Sequence, residues 1–197
     1  MPRTKKHRKE NEMSKRNGLL IVHTGDGKGK TTAALGLALR ACGDGMNVLI
    51  LQFIKGNWDS GEVRTIEALG KVSGMGLGHI ELRRFGRGFT RKEESDEKRL
   101  EHVKAAHEAL DAARMAMDAG KWDLLILDEI NYAVDFGLIS EQEMLSLAED
   151  RPENLHLVFT GRNARPSILS RADLVTEMHC VKHPYAKGIR AQRGIEF

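Results

Sequence analysis

With 197 residues, 41% of them hydrophobic and 30% charged, the chain is long enough for one domain with a substantial core and short for two. No apolar run approaches the roughly 20 residues that span a bilayer, and the N-terminus lacks the apolar core of a signal peptide. We therefore expect a cytoplasmic protein without membrane contact. The net charge of +3 is uneven, because residues 1–16 hold seven Lys and Arg against Glu10 and Glu12, which leaves the remainder slightly acidic. No aromatic residue interrupts this basic run to stack on bases, so a solvated extension is expected and nucleic-acid binding is disfavoured. A tail that orders over a bound anionic ligand is the other alternative. We set the tail at residues 1–17 and the domain at 18–197. Cys42 and Cys180 match neither a disulfide framework nor a zinc site, and each is expected as a small core residue in a reducing compartment.

After the tail, apolar strands alternate with helical patterns. A strand at 19–23 leads through a glycine-rich turn into a helix reaching about Cys42, ended by Gly43 and Gly45. Asn47–Phe53 reads as a second buried strand. A loop containing Gly56, Trp58 and Gly61 then opens a short helix near Glu62–Leu69. His79–Phe85 fits a third strand, and the longest helix is expected over about Lys92–Ala119. Its Leu100, Val103, His107, Leu110 and Met117 recur at three- and four-residue steps as one apolar stripe, on which His107 reads as a packed, hydrogen-bonded residue and not a ligand. Trp122–Glu129 is a central strand ending in acids. A helix near Glu141–Glu149, a strand at Leu155–Thr160, a helix near Pro166–Arg171 and a strand at Leu174–Met178 complete the pattern. Val181–Phe197 has no periodicity and is expected as a long surface loop. Continuous apolar strands separated by helices imply a mainly parallel sheet with helices on both faces.

The chemistry concentrates at Thr24-Gly25-Asp26-Gly27-Lys28-Gly29-Lys30-Thr31-Thr32. A buried strand, a glycine turn and a helix N-terminus form a cradle for polyphosphate, in which Lys30 supplies a point charge and Thr31 a hydroxyl for Mg2+. Thr24 holds the place of the first glycine in the usual G-x-x-x-x-G-K-[ST] pattern. The fold class expected is therefore α/β, a single P-loop NTPase-like (RecA-like) domain. Asp128 and Glu129 end another strand and should converge on the same crevice, one carboxylate holding Mg2+ (or Mn2+) directly or through water. Arg162 ends the next strand. It fits either a phosphate or ribose contact or a surface ion pair. The loop with Trp58 could cover a ligand. No Asn-Lys-x-Asp guanine-reading motif and no Ser/His/Asp or Cys/His constellation appears. These residues reach a magnesium–nucleotide enzyme without choosing among hydrolysis, phosphoryl transfer and nucleoside transfer.

Several further stretches resemble the ATP:corrinoid adenosyltransferases. They are residues 24–34, Gln52-Phe53-Ile54-Lys55-Gly56, Gly88-Phe89-Thr90, Leu127–Tyr132, Thr160-Gly161-Arg162, Val181–Tyr185 and Gly194-Ile195-Glu196-Phe197. The resemblance runs from about residue 18 to the C-terminus. It implies that reduced cobalt attacks the 5′ carbon of ATP and that triphosphate leaves. It further implies that Lys28 and Lys30 are catalytic, with the amides of Gly27 and Gly29, and that Gly25, Asp26, Thr31, Thr32 and Arg162 contact ATP. Mg2+ would be held by Thr31 and Glu129 beside Asp128. Phe89, and Arg91 where the family often has Trp, would face the corrinoid. An electron donor such as a reduced flavoprotein and a homodimer also follow from the resemblance, and a lid role for the tail is a further carry-over. A P-loop ATPase or kinase of unknown acceptor is the alternative.

Overall fold

A computed structural model describes residues 17–56, 60–72, 75–88 and 95–196. Its frame is a sheet of β1 (Leu20–Thr24), β2 (Val48–Gln52), β3 (Ile80–Arg84), β4 (Leu124–Asp128), β5 (His156–Thr160) and β6 (Leu174–Glu177). The strand order is β3-β2-β4-β5-β1-β6, and every pairing is parallel. Parallel neighbours need crossover connections, and here the crossovers are α1 (Lys30–Gly43), α2 (Gly61–Leu69), α3 (Asp96–Asp118), α4 (Ile130–Asp135), α5 (Glu141–Glu149) and α6 (Pro166–Leu169).

Successive residues on a strand face opposite sides, so the continuous apolar strands supply two cores. Leu49, Leu51, Leu125, Leu127, Leu157 and Phe159 face α3, α4 and α5. Val48, Ile50, Leu124, Ile126 and Val158 face α1 and α2. The edge strand β6 is exposed along its length, so cover on both faces belongs to the inner strands.

The apolar stripe expected on α3 is corrected. Its buried face is an alanine stripe, Ala105, Ala106, Ala109, Ala113 and Ala116, continued by His102, Leu110 and Met117. Small side chains let this helix lie close across β2 and β4, whereas Leu100 is 68% exposed. His107 is half-buried at the margin, its Nδ1 2.9 Å from the Val103 carbonyl and its Nε2 3.2 Å from Glu143. Gly120, at φ 62°, ends the helix as expected. Cys42 is buried but Cys180 is exposed, so only the first is a core residue. The C-terminal stretch read as a loop contains a short 3₁₀ turn at Pro184–Lys187.

Candidate functional site

The strands are parallel, so the C-terminal ends of β1, β2, β4 and β5 point the same way and their following residues gather at one edge. There they line a cleft of about 670 Å³. Its walls include Gly27 through Thr32, Lys55, Glu62, Glu129, Tyr132, Thr160 through Arg162, and Gly194 through Glu196.

The glycine turn enters α1 through Gly29 at φ 109°, a conformation costly for residues with a side chain. Helix geometry leaves the amides of Lys30, Thr31 and Thr32 without partners inside α1, and all three residues line the cleft. Lys30 folds back so that its ammonium donates to the Gly25 carbonyl at 2.7 Å and to that of Gly27. Burial, then Arg162, lowers the proton affinity of Lys30, while Glu129 and Asp26 oppose the shift. Gly25 and Asp26 are not among the cleft-lining residues. Gly25 packs on the Met178 backbone, and Asp26 accepts from the Cys180 amide at 3.3 Å. The Gly27 amide donates to the Met178 carbonyl at 2.7 Å, so in this conformation it does not point to a ligand as expected.

Asp128 is the hub of the site. It stands opposite Gln52 in the β2–β4 register, which explains why Gln52 Nε2 donates to its Oδ2 at 3.0 Å. Its Oδ1 accepts from Thr31 Oγ1 at 2.9 Å and from Thr160 Oγ1 at 2.7 Å. Lys55 Nζ lies 3.6 Å from the same Oδ2 and 3.6 Å from Glu62 Oε1. The carboxylate is thus 1% exposed yet fully countered.

Glu129 leaves the strand in the left-handed region, φ 66°, and this turn starts α4. The strand expected over Trp122–Glu129 thus ends at Asp128, and α4 follows where no helix is expected from the sequence. The Glu129 amide donates to Thr160 Oγ1 at 2.8 Å, fixing the turn. Burial and then the adjacent Asp128 push the Glu129 carboxyl up to about 7, against the pull of Lys55, Lys30 and Arg162. Opposite α4, Gly161 at φ 128° lies so close that an added Cβ would stand 2.9 Å from the Tyr132 amide nitrogen. The same turn leaves Arg162 exposed at the cleft wall.

Lys28, Lys30, Thr31, Thr32, Glu129 and Arg162 therefore share one cleft, with Asp128 behind them. Phe89, Arg91 and Trp58 lie outside the described residues. Lys55, Glu62 and Glu196 also line this cleft and Gln52 holds Asp128 behind it, four placements that sequence pattern did not point to. Gln52, Lys55 and Glu196 lie in stretches that carry the family resemblance, and the signal available was a polar or charged residue at or just past a strand end or in a glycine turn.

Oxygen ligands fit this set for a hard cation: a hydroxyl at Thr31 and carboxylates at Asp128 and Glu129. Among the described residues, no group of three or more His, Cys, Asp and Glu side chains could hold a metal ion. A cation here would draw its remaining ligands from phosphate and water, as Mg2+ does.

A glycine turn at a helix start, an acid pair at a neighbouring strand end and a doubly covered parallel sheet define a P-loop nucleotide-binding protein. A family model described as ATP:corrinoid adenosyltransferase BtuR/CobO/CobP matches residues 16–197, and the chain belongs to this family. A corrinoid adenosyltransferase of Sinorhizobium sp is 39% identical over 182 residues, covering 91% of this chain and 80% of the relative. That of Escherichia coli K12 is 36% identical over 183 residues, covering 91% of this chain and 86% of the relative. Corrinoid adenosyltransferase CobA of Salmonella typhimurium LT2 is 37% identical, with 91% and 86% covered. Among the described residues, no helix is long and apolar enough to cross a membrane.

Proposed function

We propose that the cleft binds ATP with its triphosphate on the glycine turn, and that the protein transfers the 5′-deoxyadenosyl group to the Co(I) centre of a corrinoid. Co(I) donates an electron pair to C5′ to form the Co–C bond, and the C5′–O bond breaks with its own bonding pair staying on the departing triphosphate. The corrinoid is cobalamin or cobyrinic acid a,c-diamide, in adenosylcobalamin biosynthesis or salvage. The single observation that carries the choice of nucleoside transfer is the family match over residues 16–197, and the cations and helix-start amides gathered around one end of α1 support the triphosphate seat. That is where a polyanionic leaving group needs them.

The nucleophile belongs to the substrate, so the protein's work is positioning and charge stabilisation. Lys30 would leave the Gly25 and Gly27 carbonyls for a phosphate oxygen. The amides of Lys30, Thr31 and Thr32 would donate to others, aided by the positive end of α1. Lys28 and Arg162 would add charge from either wall. Gly25 and Asp26 support the turn through Met178 and Cys180. Thr31, Glu129 and Asp128 would hold Mg2+ (or Mn2+), which when bound neutralises part of the triphosphate charge. Phe89 and Arg91 are proposed to face the corrinoid, beyond Gly88, whose amide donates to the Ile54 carbonyl at 3.2 Å. A reduced flavoprotein as electron donor, a homodimer and a cytoplasmic location complete the proposal.

The test is product analysis. ATP and chemically reduced corrinoid should give adenosyl-corrinoid and triphosphate in equal amounts. Release of only ADP and phosphate, independent of corrinoid, would instead mean an ATPase or kinase.

A further inference from the structure

The last turn of the described chain lines the cleft with Gly194, Ile195 and Glu196. After β6, Met178 donates its amide to the Thr24 carbonyl at 2.9 Å and accepts from Gly27, so the C-terminal stretch is laced to the outside of the glycine turn. The chain later returns through a hydrogen-bonded turn. Gly194 takes φ 79°, and the amides of Ile195 and Glu196 both donate to the Gln192 carbonyl, at 3.2 and 2.9 Å. This turn sets Glu196 in the cleft wall with its side chain 12% exposed. Its carboxylate oxygen lies 2.6 Å from Lys28 Nζ.

A carboxylate at that place has a consequence for the reaction. Lys28 belongs to the glycine turn proposed to receive the polyanion, and its charge is already matched by an internal anion. A phosphate oxygen drawn to the same ammonium comes up beside the Glu196 carboxylate, and like charges at such range repel. The carboxylate stays tethered by its turn, so it is ready to take the ammonium back.

Resting on the reading of triphosphate as leaving group, we propose that Glu196 is a residue of the reaction cycle. It is an internal anion that occupies Lys28 in the empty site, yields it to triphosphate and reclaims it to speed product departure. A residue that merely positioned Lys28 for the ligand would have the opposite effect when neutralised, so the sign of the change decides between them.

The experiment uses the full chain, inorganic tripolyphosphate and Mg2+, with calorimetry for affinity and stopped-flow displacement for release. Glu196→Gln should bind tripolyphosphate about three- to tenfold tighter, a range set by a partly exposed ion pair, and the gain should lie in slower release. Glu196→Asp, which keeps the charge, should stay nearer the parent protein. In a Lys28→Met background the gain should shrink, because the contested ammonium is gone. Weaker or unchanged binding by Glu196→Gln overturns the proposal, as does a gain that persists in full without Lys28, or failure of the parent protein to bind tripolyphosphate. The parent protein's products separate this from the functional reading. If no triphosphate forms from ATP and Co(I) corrinoid while Glu196→Gln still tightens binding, the functional reading falls and the competition at Lys28 stands.

Discussion

Glu129 combines a left-handed backbone with a carboxyl whose ordinary value of 4.5 is raised to about 7 by burial and by Asp128 beside it. Between those two values the folded protein keeps a proton that the unfolded chain has released. Ionising Glu129 therefore works against the fold, and its contribution to stability falls as pH rises from 4.5 through 7. Glu129→Gln should be more stable than the parent at pH 8, by about 1–3 kcal/mol, with the gap closing by pH 5. Urea denaturation at both values checks this; parallel pH profiles for the two proteins would refute it. Lys55 acts on the same acids from the other side, 3.6 Å from Asp128 and from Glu62. Lys55→Met removes a cation from a polyanion cleft and should weaken Mg2+–tripolyphosphate binding by about 1–2 kcal/mol, with Lys55→Arg restoring most of it. Calorimetry showing equal affinity in Lys55→Met would place Lys55 as a purely structural partner of Asp128.

At the scale of elements, close approach decides what substitution does. Ala109, fully buried on α3, lets that helix lie across the sheet. Ala109→Leu should destabilise by about 1–3 kcal/mol through overpacking, while residual activity of the folded fraction stays near the parent's. Comparing thermal denaturation with activity at low temperature separates the two effects. This helix also shows where sequence pattern stops being informative. Large apolar residues drew the stripe through Leu100 and His107, but alanine is compatible with a buried or an exposed face, so only tertiary contact reveals the true one. α4 escaped for a related reason. It is a short helix, and it starts from a left-handed Glu129 instead of a capping residue. The strands were legible because their apolar runs are continuous, and the glycine turn because it lies between a strand and a helix. The contact of Gln52 with Asp128 was not, since it depends on β2 lying next to β4, and strand order is not written in periodicity.

For the molecule as a whole, the cleft lies at the C-terminal strand ends, where helices from both faces of the sheet contribute to it. α1 belongs to one core and α4 to the other, and Gly194–Glu196 add to the cleft wall. A ligand touching all three binds only the folded chain and so shifts the unfolding equilibrium by mass action. At a concentration about 100 times its Kd it adds about 2.7 kcal/mol. In a chain of this size each kcal/mol raises the midpoint by about 2–4 °C, so Mg2+–tripolyphosphate should raise Tm by about 5–10 °C. Lys30→Ala should lose most of that rise, because it removes the charge nearest the helix end, while leaving the unliganded Tm within a few degrees. Thermal scans with tripolyphosphate, and with sulfate at matched ionic strength, measure it. An equal rise with sulfate, or one untouched by Lys30→Ala, would mean that the anion stabilises the protein through its general charge and not through a seat on the glycine turn.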